Sequence, residues 1–489
     1  MAPDCEEARA LAERTDESAV APRGRGGRAL VVLAALLGVA VAGTGTAWWR
    51  EHEEARAQER VALAHRLALH AAELRGDDPV KARDLGLAAL GVHADDQTRG
   101  GLTDTLLLWR RDDLWLRGPD GAWHAEVSGD GRLGLVAGTE KAEVWDLGSG
   151  RAVALDGPGG AVESLALSFD GRTALTGADD GATTVWDLTD PAHPARRATL
   201  PGVAAKGPLD DVQALAVSRD GRVAAVADFA GNLLVWDLAV RDHPVRRSVT
   251  VVHGSRTEDL ELSGDGGTAV TTTDRGPVAI WNLADPAHPV KTAELTPAIY
   301  TGTAAALSGD GRVLVVARRD PGADWRSQAD VWTLDDPARP ARTAVIELPP
   351  ADMLDVALTP DGATALLAGS NGSGALWDLS VPSRPVRLAG LRGYPSEVRG
   401  VALSDGARVA LMAAPGSTTF SVWDLGDLRQ VAADPERVLC DDGPRSLSRT
   451  DWDRFTGGAD PSDLGGPGGV DPSDLGGPGG RDVSLCAFR

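Results

Sequence analysis

The cysteines and histidines of this chain lack the spacings that metal and catalytic sites need. Its three cysteines, Cys5, Cys440 and Cys486, include no CxxC pair, so the sequence predicts no thiolate metal site. Four of the nine histidines lie within residues 51–93, and none belongs to an HExxH motif. There is also no GxSxG elbow, P-loop or glycine-rich dinucleotide fingerprint. We therefore expect neither catalysis nor a bound metal or cofactor.

Cys440 and Cys486 are the two cysteines that could form a covalent bond. Both follow the last of the sequence repeats described below, and disulfides persist mainly in oxidising compartments. Two interpretations stay open. Either Cys440 and Cys486 form a disulfide outside the cytoplasm, or both remain free thiols.

Aromatic side chains in polar segments are the better candidates for a site, because rings commonly anchor protein interfaces. The chain contains only two tyrosines, Tyr300 and Tyr394, and both lie in polar segments. Trp325 and Arg326 lie in a third such segment and Phe229 in a fourth. These five residues predict a binding surface for a protein or peptide. The alternative is that the rings pack on their own loops as small local cores.

A double marker that recurs seven times identifies the elements that carry these residues. The first marker is a tryptophan at the same place in each copy: Trp145, Trp186, Trp236, Trp281, Trp332, Trp377 and Trp423. Asp follows it in every copy except two, where Asn282 and Thr333 stand instead. The second marker is an Asp-Gly pair that precedes each tryptophan by 15 to 22 residues. Spacings of 41 to 51 residues between tryptophans indicate an array of supersecondary units.

Each copy also predicts short strands joined by tight turns. In the second copy the strands are expected at residues 164–168, 173–176 and 183–188. The Asp-Gly pairs favour hairpin turns, because both residue types tolerate positive φ. Proline-rich segments at 190–194, 285–289 and 336–340 follow marker tryptophans and lead to a further strand at the edge of the sheet.

With this pair of markers, residues 111–430 resemble a seven-bladed WD40 β-propeller. The resemblance implies an all-β fold with four strands per blade around a central channel, in which each marker tryptophan packs between blades. It also implies that Leu114–Leu116 completes the last blade as its outer strand. The sequence departs from the family pattern because the usual Gly-His pair is absent. We therefore do not expect the family's His-Ser-Trp-Asp hydrogen-bond network.

The propeller frame places the candidate binding residues on one face. The loops between the second and third strands, and those between successive blades, lie at the same end of a propeller. Phe229, Trp325 and Arg326 fall in loops of the first kind, and blade five has a lengthened loop at residues 318–326. Tyr300 and Tyr394 fall in loops of the second kind.

Residues 29–49 form an uncharged apolar run that is long enough to span a bilayer as a helix. The alternative is a cleaved signal peptide, because Ala40-Val41-Ala42 suits a signal peptidase. Arginines without acidic neighbours precede the run, whereas acidic residues follow it closely. The positive-inside rule then predicts a cytoplasmic N-terminus, with residues 1–28 as a disordered tail, and an extracytoplasmic propeller.

Two segments outside the propeller have features of their own. Residues 50–110 predict a small α-helical segment, rich in strong helix formers and with Pro79 in the first turn of its second helix. Residues 431–489 predict a tail with a short helix, in which Trp452 and Phe455 share one side and are expected to pack on the propeller. A tandem 11-residue Gly/Pro-rich repeat at 460–480 predicts a flexible linker, with a calcium-binding loop as the alternative.

The complete layout resembles the C-terminal part of actinobacterial STAND-type signalling ATPases, which also place a membrane helix before a WD40 propeller. The resemblance implies a sensor role and a cytoplasmic signalling partner reached through residues 1–28. The net charge of −22 argues against nucleic acid as a partner, because phosphate backbones would be repelled.

The sequence thus predicts a single-pass, membrane-anchored, extracytoplasmic WD40 propeller that binds a protein or peptide as a scaffold or sensor. The alternative function is an extracytoplasmic propeller hydrolase, either lactonase-like or peptidase-associated.

Overall fold

The structure is a computed structural model. It describes residues 52–109, 115–119, 121–157, 161–203, 211–252, 256–273, 276–295, 304–320, 326–348, 353–392, 394, 397–415, 417–441, 445–459 and 482–486. The chain divides into two units, Met1–Leu63 and Ala64–Arg489. The predicted tail at 1–28 and the predicted membrane helix at 29–49 lie outside the described residues. Among those that are described, no helix has both the length and the apolarity to cross a bilayer.

Seven four-stranded antiparallel sheets make up most of the larger unit, and each sheet is one blade. The first strand among the described residues is β1 (Trp115–Arg117), which precedes blade 1. Blades 1 to 3 consist of β2 (His124–Val127), β3 (Leu133–Ala137), β4 (Ala142–Asp146), β5 (Arg151–Leu155), β6 (Val162–Leu167), β7 (Thr173–Ala178), β8 (Thr183–Asp187), β9 (Ala195–Leu200), β10 (Val212–Val217), β11 (Val223–Asp228), β12 (Asn232–Asp237) and β13 (Val245–Val251).

Blades 4 to 7 repeat the same order from the channel outwards, which we label strands a to d. They consist of β14 (Thr257–Leu262), β15 (Thr268–Thr273), β16 (Ala279–Asn282), β17 (Val290–Glu294), β18 (Ala304–Leu307), β19 (Val313–Asp320), β20 (Arg326–Thr333), β21 (Ala341–Glu347), β22 (Met353–Leu358), β23 (Thr364–Gly369), β24 (Ser373–Asp378), β25 (Val386–Arg392), β26 (Gly400–Leu403), β27 (Val409–Ala413) and β28 (Thr419–Asp424). A 3₁₀ turn, Asp405–Ala407, joins the first two strands of blade 7.

Blade 7 is closed by the first strand of the chain. Strand β1 pairs antiparallel with β28, with Leu116 opposite Phe420, and supplies strand d of the blade. The two ends of the propeller therefore meet in one sheet, and no blade edge is left between first and last blades. This arrangement, and the seven-bladed β-propeller itself, are as the sequence predicts.

The a–b turns are built from a Ser/Thr-x-Asp-Gly motif that repeats from blade to blade. In blade 2, the Ser168 hydroxyl donates to Asp170 Oδ1 at 2.6 Å, and the Ser168 oxygen accepts from the Thr173 amide at 2.9 Å. Blades 1 and 3 to 6 repeat the hydroxyl–carboxylate bond at 2.6–2.8 Å. These side chains satisfy turn amides that would otherwise lack partners, so the motif fixes the hairpins locally.

The marker tryptophans lie between neighbouring blades. Trp186 of blade 2, for example, joins a buried cluster with Leu135 and Val144 of blade 1. The Asp after the tryptophan caps the following c–d loop: Asp187 accepts from the Thr189 amide at 2.9 Å. Its other oxygen accepts from Arg197 of strand d at 2.7 Å. An outer-strand arginine thus occupies the carboxylate in this blade, which lacks the family's histidine.

The predicted helical segment is present as three helices: α1 at 52–74, α2 (Pro79–Val92) and α3 (Asp96–Trp109). Asp78 caps α2 by accepting from the Lys81 amide, and Asp95 caps α3 by accepting from the Thr98 amide. Helix α3 lies along β25, and its Leu107 joins the apolar core of blades 6 and 7.

The C-terminal region packs beside these helices. It contains α4 (Leu428–Ala433), α5 (Pro435–Asp441), β29 (Ser446–Ser448), α6 (Arg449–Thr456) and β30 (Asp482–Ser484), and β29 pairs with β30. A disulfide joins Cys440, in α5, to Cys486, which lies 46 residues further along the sequence.

The tail helix has partners that the sequence prediction did not name. Trp452 is fully buried, but the Phe455 ring lies 5.3 Å from the His70 ring, and Asp451 pairs with Lys81 at 3.2 Å. Helix α6 therefore contacts the helical segment through Phe455 and Asp451. The charge of Lys81 and the ring of His70 provide partners that a sequence motif does not reveal.

Candidate functional site

The two ends of the central channel differ in how closely the blades approach one another. At the a–b end, backbone hydrogen bonds of 2.8–3.3 Å join neighbouring blades at six junctions. In each pair the amide of the first residue donates to the carbonyl of the second: Gly129 to Phe169, Asp170 to Arg219, Arg219 to Gly264, Gly264 to Gly309, Gly309 to Pro360, and Asp405 to Gly129. Among the described residues the exception is the junction of blades 6 and 7, because Pro360 has no amide hydrogen to donate.

This ring of hydrogen bonds leaves no room for side chains at some of its positions. A Cβ at Gly264 would lie 2.8 Å from the Gly309 carbonyl oxygen, which is closer than van der Waals contact allows. The a–b end of the channel is therefore pinched by main chain. The end formed by the d–a and b–c loops is the one at which a ligand can enter.

At that open end, bulges in strand a direct polar side chains into the channel. The pairing of strands a and b shifts by one residue after Val162, Val212 and Thr257. The extra residues are Glu163, Gln213 and Glu258, and all three line the same cavity of about 360 Å³. A bulge re-aims the side chain of its extra residue, so these strands bring polar groups to the mouth of the channel.

Aromatic and cationic side chains complete the mouth. Trp123, Arg256 and Arg399 line the same cavity. The Arg256 guanidinium also lies 5.7 Å from the centre of the Phe229 ring, within the range of a cation–π contact. The site therefore offers both charges and aromatic surface, a combination typical of protein interfaces.

Four carboxyl groups lie deeper in the channel: Glu126, Asp259, Glu261 and Asp355. Asp259 accepts from the Ala305 amide of the next blade at 2.8 Å, and Asp355 accepts from the Val401 amide of the next blade at 2.8 Å. Each aspartate also accepts from the amide of the residue that follows it. Both aspartates thus join the innermost strands of adjacent blades, which is a structural role.

The surroundings of these carboxyl groups favour their neutral forms. Burial raises the pKa of the Glu126 carboxyl to about 8, and the charge of Asp259 adds to the rise. Burial likewise raises the pKa values of Glu261 and Asp355. It lowers the pKa of His124 to about 4, so this ring is uncharged at neutral pH. The channel therefore carries less charge at neutral pH than its composition suggests.

We expect the Glu126→Gln variant to weaken the dependence of stability on pH. The pKa of Glu126 is raised above its unfolded value of about 4.5, so the folded protein holds a proton that the unfolded chain has released. Stability should then fall as pH rises from about 4.5 through about 8. Gln mimics the protonated acid, so at pH 9 the variant should be more stable than wild type. Because water reaches the channel and weakens the effect of burial, we expect the free energy of unfolding of the variant at pH 9 to exceed that of wild type by about 1–2 kcal/mol.

Urea unfolding at pH 5, 7 and 9 measures this effect. The matched control is Glu347→Gln on the exposed face of β21, which should keep the wild-type slope. Equal slopes for Glu126→Gln and wild type would mean that Glu126 is ionised in the folded channel.

The residues that the sequence predicts for a binding face do not all lie at the open end of the channel. Phe229 is half-buried at the open end, where its amide donates to the Asp211 carbonyl at 3.0 Å. Tyr300 and Trp325 lie outside the described residues. Arg326 begins β20 and pairs in register with Asp320. The extra residues of blade five therefore lengthen strands b and c, whereas the sequence predicts a loop from 318 to 326.

The structure contradicts the predicted surface position of Tyr394. Its side chain is only 8% exposed, and its hydroxyl donates to the Met412 carbonyl at 2.6 Å. The ring packs edge-on against Trp115 of β1, with 4.8 Å between centroids. Tyr394 thus belongs to the core of blades 6 and 7. The sequence prediction placed it on the binding surface, and that placement is wrong.

The channel carboxyl groups are the residues that sequence reasoning missed. One signal was present: Thr257–Leu262 places three acidic residues in a strand that the repeat frame assigns to the channel wall. Within the described ranges, no three His, Cys, Asp or Glu side chains are arranged to hold a metal ion.

Comparisons with known proteins agree with this architecture. Residues 151–187 match the WD40 family, described as WD domain, G-beta repeat. A chain in a crystal structure of the mitotic checkpoint complex superposes with a TM-score of 0.52 at 18% identity, over 64% of this chain and 95% of that one. At this identity the likeness shows the fold alone.

A curated relative matches a shorter part of the sequence. The NAD(+) hydrolase ApTIR of Actinoplanes sp. is 36% identical over 140 residues, which is 29% of this chain. The match spans 14% of the length of that hydrolase. The closed ring of seven four-stranded blades therefore makes this chain a seven-bladed β-propeller, in which residues 151–187 match a WD40 repeat.

Proposed function

We propose that this protein is a membrane-anchored, extracytoplasmic propeller that binds a protein or peptide at the open end of its channel. WD40 propellers typically serve as protein-interaction scaffolds. The observation that carries the choice of site is the asymmetry of the channel. Backbone hydrogen bonds pinch the a–b end, whereas bulges direct Glu163, Gln213 and Glu258 into a cavity at the other end.

The chemistry of the mouth favours a partner with both polar and aromatic contacts. Arg256 and Arg399 supply positive charge, Glu163 and Glu258 supply negative charge, and Phe229 supplies a ring beside Arg256. Charges of both signs set orientation and partner choice more than raw affinity. A protein surface or peptide with complementary charges fits this mixture better than an apolar small molecule.

The extracytoplasmic location rests on two features. The apolar run at 29–49 has the length of a membrane helix, with its uncompensated arginines on the N-terminal side. The Cys440–Cys486 disulfide supports the proposal, because reducing pathways in the cytoplasm oppose such bonds. A reporter that is active only in the cytoplasm, fused after residue 110, should stay silent. Activity of that fusion would refute the location.

A sensor role extends the proposal. Helix α3 packs on blade 6, and the tail helix packs on residues of the helical segment. Binding at the propeller could thereby reach the helices that follow the predicted membrane span, and residues 1–28 would engage a cytoplasmic partner. The similarity to a longer NAD(+) hydrolase is compatible with a module that also occurs in larger proteins.

Affinity capture from the cell envelope, followed by titration with the purified captured protein, tests the binding proposal. We expect the Phe229→Ala and Arg256→Ala variants each to weaken binding of that protein by about tenfold or more. Arg172→Ala and Arg222→Ala, at the pinched end of the propeller, are the matched controls and should bind as wild type. If the controls lost binding and the first pair kept it, the partner would occupy the opposite face.

A hydrolase is the second candidate, because the channel holds carboxyl groups with raised pKa values. Glu126, with a pKa of about 8, is protonated near neutral pH and could serve as a general acid. A panel of lactones, esters and peptides tests this alternative. Turnover that disappears in Glu126→Gln would favour the hydrolase over the binding protein.

A further inference from the structure

A crevice lies where the helical segment, blade 6 and the tail meet, and it shares no lining residue with the channel cavity. Three arginines line it, Arg99 on α3, Arg387 on β25 and Arg429 on α4, together with Thr103 and two acidic residues, Asp96 and Asp378. Its volume is about 220 Å³. We call it the junction crevice.

The residues of helix α3 that line the junction crevice share one helix face. Asp96, Arg99, Gly100 and Thr103 follow the spacing i, i+3, i+4 and i+7. A Cβ at Gly100 would lie 3.2 Å from Arg387 Nη1. The absence of a side chain at Gly100 therefore lets the guanidinium of blade 6 lie directly against the helix.

The arginines differ in how their charges are compensated. Arg387 pairs with Asp104 at 3.2 Å. Arg429 donates to a neutral group, the Thr364 hydroxyl, at 3.1 Å. In the part of the chain that the structure describes, the Arg99 side chain has no ion pair and no hydrogen bond. Among the described residues, the guanidinium groups of Arg99 and Arg429 thus reach the crevice without an anionic partner within 4 Å.

A second cleft in the propeller has a different balance of charges. Between blades 2 and 3, a cleft is lined by four arginines and four aspartates, and Arg197 and Arg241 are two of these arginines. Arg197 pairs with Asp187 at 2.7 Å, and Arg241 lies 3.8 Å from the same carboxylate. That cleft neutralises its own charges. The junction crevice holds one more arginine than acidic residues, in a protein whose net charge is −22.

We propose that the junction crevice binds a small oxyanion, a phosphate or carboxylate group, between Arg99 and Arg429. The planar guanidinium offers paired N–H donors that match the oxygens of either group. The volume is below the 300 Å³ or so at which pockets for drug-sized ligands begin, so it suits a single small anion. Such an anion would bridge α3 and α4 beside blade 6 and hold the helical segment and tail to the propeller.

Calorimetric titration of the full-length protein in detergent micelles tests the proposal. The probes are inorganic phosphate and succinate at constant ionic strength, with chloride as the reference anion. Saturable binding of phosphate or succinate is expected, and the tighter of the two identifies the class of oxyanion. Arg99→Gln and Arg429→Gln should each weaken it by about tenfold or more.

The matched control is the Arg384→Gln variant. Arg384 is an exposed arginine of blade 6 that does not line the crevice. The variant should bind the probe as wild type does. All three arginines replaced in these variants are exposed, and thermal unfolding without anion should confirm that each variant is folded. Absence of saturable binding to wild type, or equal weakening in Arg384→Gln, would overturn the proposal, since the latter indicates only diffuse attraction to positive charge.

Discussion

Replacing Asp330 with Asn is expected to lower the free energy of unfolding by about 3–5 kcal/mol. Asp330 is fully buried in β20, and it accepts from Arg318 of β19 at 2.9 Å and 3.3 Å. Arg318 is itself buried. The substitution removes the negative charge but leaves the guanidinium inside the sheet of blade 5, where water cannot replace the lost partner. Urea unfolding at pH 7 measures the change.

A double substitution separates the charge effect from a loss of packing. Replacing both partners with apolar residues of similar size, Arg318→Met with Asp330→Leu, should restore most of the stability, because no unpaired charge remains. Arg342→Gln is the matched single control. Arg342 lies 3.6 Å from the same carboxylate but is 42% exposed, so water can solvate the pair and the cost should stay below about 1 kcal/mol. A cost this small for Asp330→Asn would show that the buried pair is not required.

The Asp330 pair also marks a limit of sequence reasoning. The sequence predicts a loop at residues 318–326, because the longer Asp-to-Trp gap of blade five places its extra residues there. In the structure, Arg318 continues β19, since Asp330 on the neighbouring strand compensates its charge. A charged residue looks like a loop residue until its partner in space is known.

Features with local causes were predicted well. The seven blades follow from markers repeated within single hairpins, in which Ser168 and Asp170 act two residues apart. The helix starts follow from Asp78 and Pro79, which cap and begin the same turn. Such signals depend on neighbours in sequence, so they can be interpreted without the fold.

Features that depend on partners distant in sequence could not be predicted. From sequence, Tyr394 has the features of a surface tyrosine in a polar loop. In the structure its ring contacts Trp115, which lies at the N-terminal start of the propeller sequence. The channel mouth depends on bulges that turn Glu163 and its counterparts inwards, and a strand pattern does not show where one extra residue falls.

The marker tryptophans show the same division between local and distant causes. Their positions follow from sequence, but their indole hydrogen bonds vary with the residue on strand b. Trp186 and Trp281 donate to Thr176 and Thr271 at 3.0 Å. In blade 3, Val226 occupies the equivalent position in the strand register, and the Trp236 indole nitrogen is buried without a partner among the described residues. The fold therefore tolerates some unsatisfied donors, whose cost packing must offset.

Asp104 makes several polar contacts that join the helical segment to the propeller. It is 7% exposed on α3, and it pairs with Arg387 of β25 at 3.2 Å and with Arg75 at 3.6 Å. It also accepts from the Gly390 amide of β25. One carboxylate thus joins helix α3 both to the side chains and to the main chain of blade 6.

We expect Asp104→Asn to destabilise the protein by about 3 kcal/mol and to loosen the helices before the blades unfold. The neutral amide leaves Arg75 and Arg387 without their shared charge, and its oxygen can satisfy fewer donors than a carboxylate. Limited proteolysis should therefore cut the helical segment earlier than in wild type, while urea unfolding reports the stability. Asp96→Asn is the matched control, because Asp96 is exposed in the first turn of the same helix and should cost less than about 1 kcal/mol. If Asp104→Asn and Asp96→Asn were equally stable and equally resistant to protease, the packing of Leu107 in the core of blades 6 and 7 would suffice to hold α3 on the propeller.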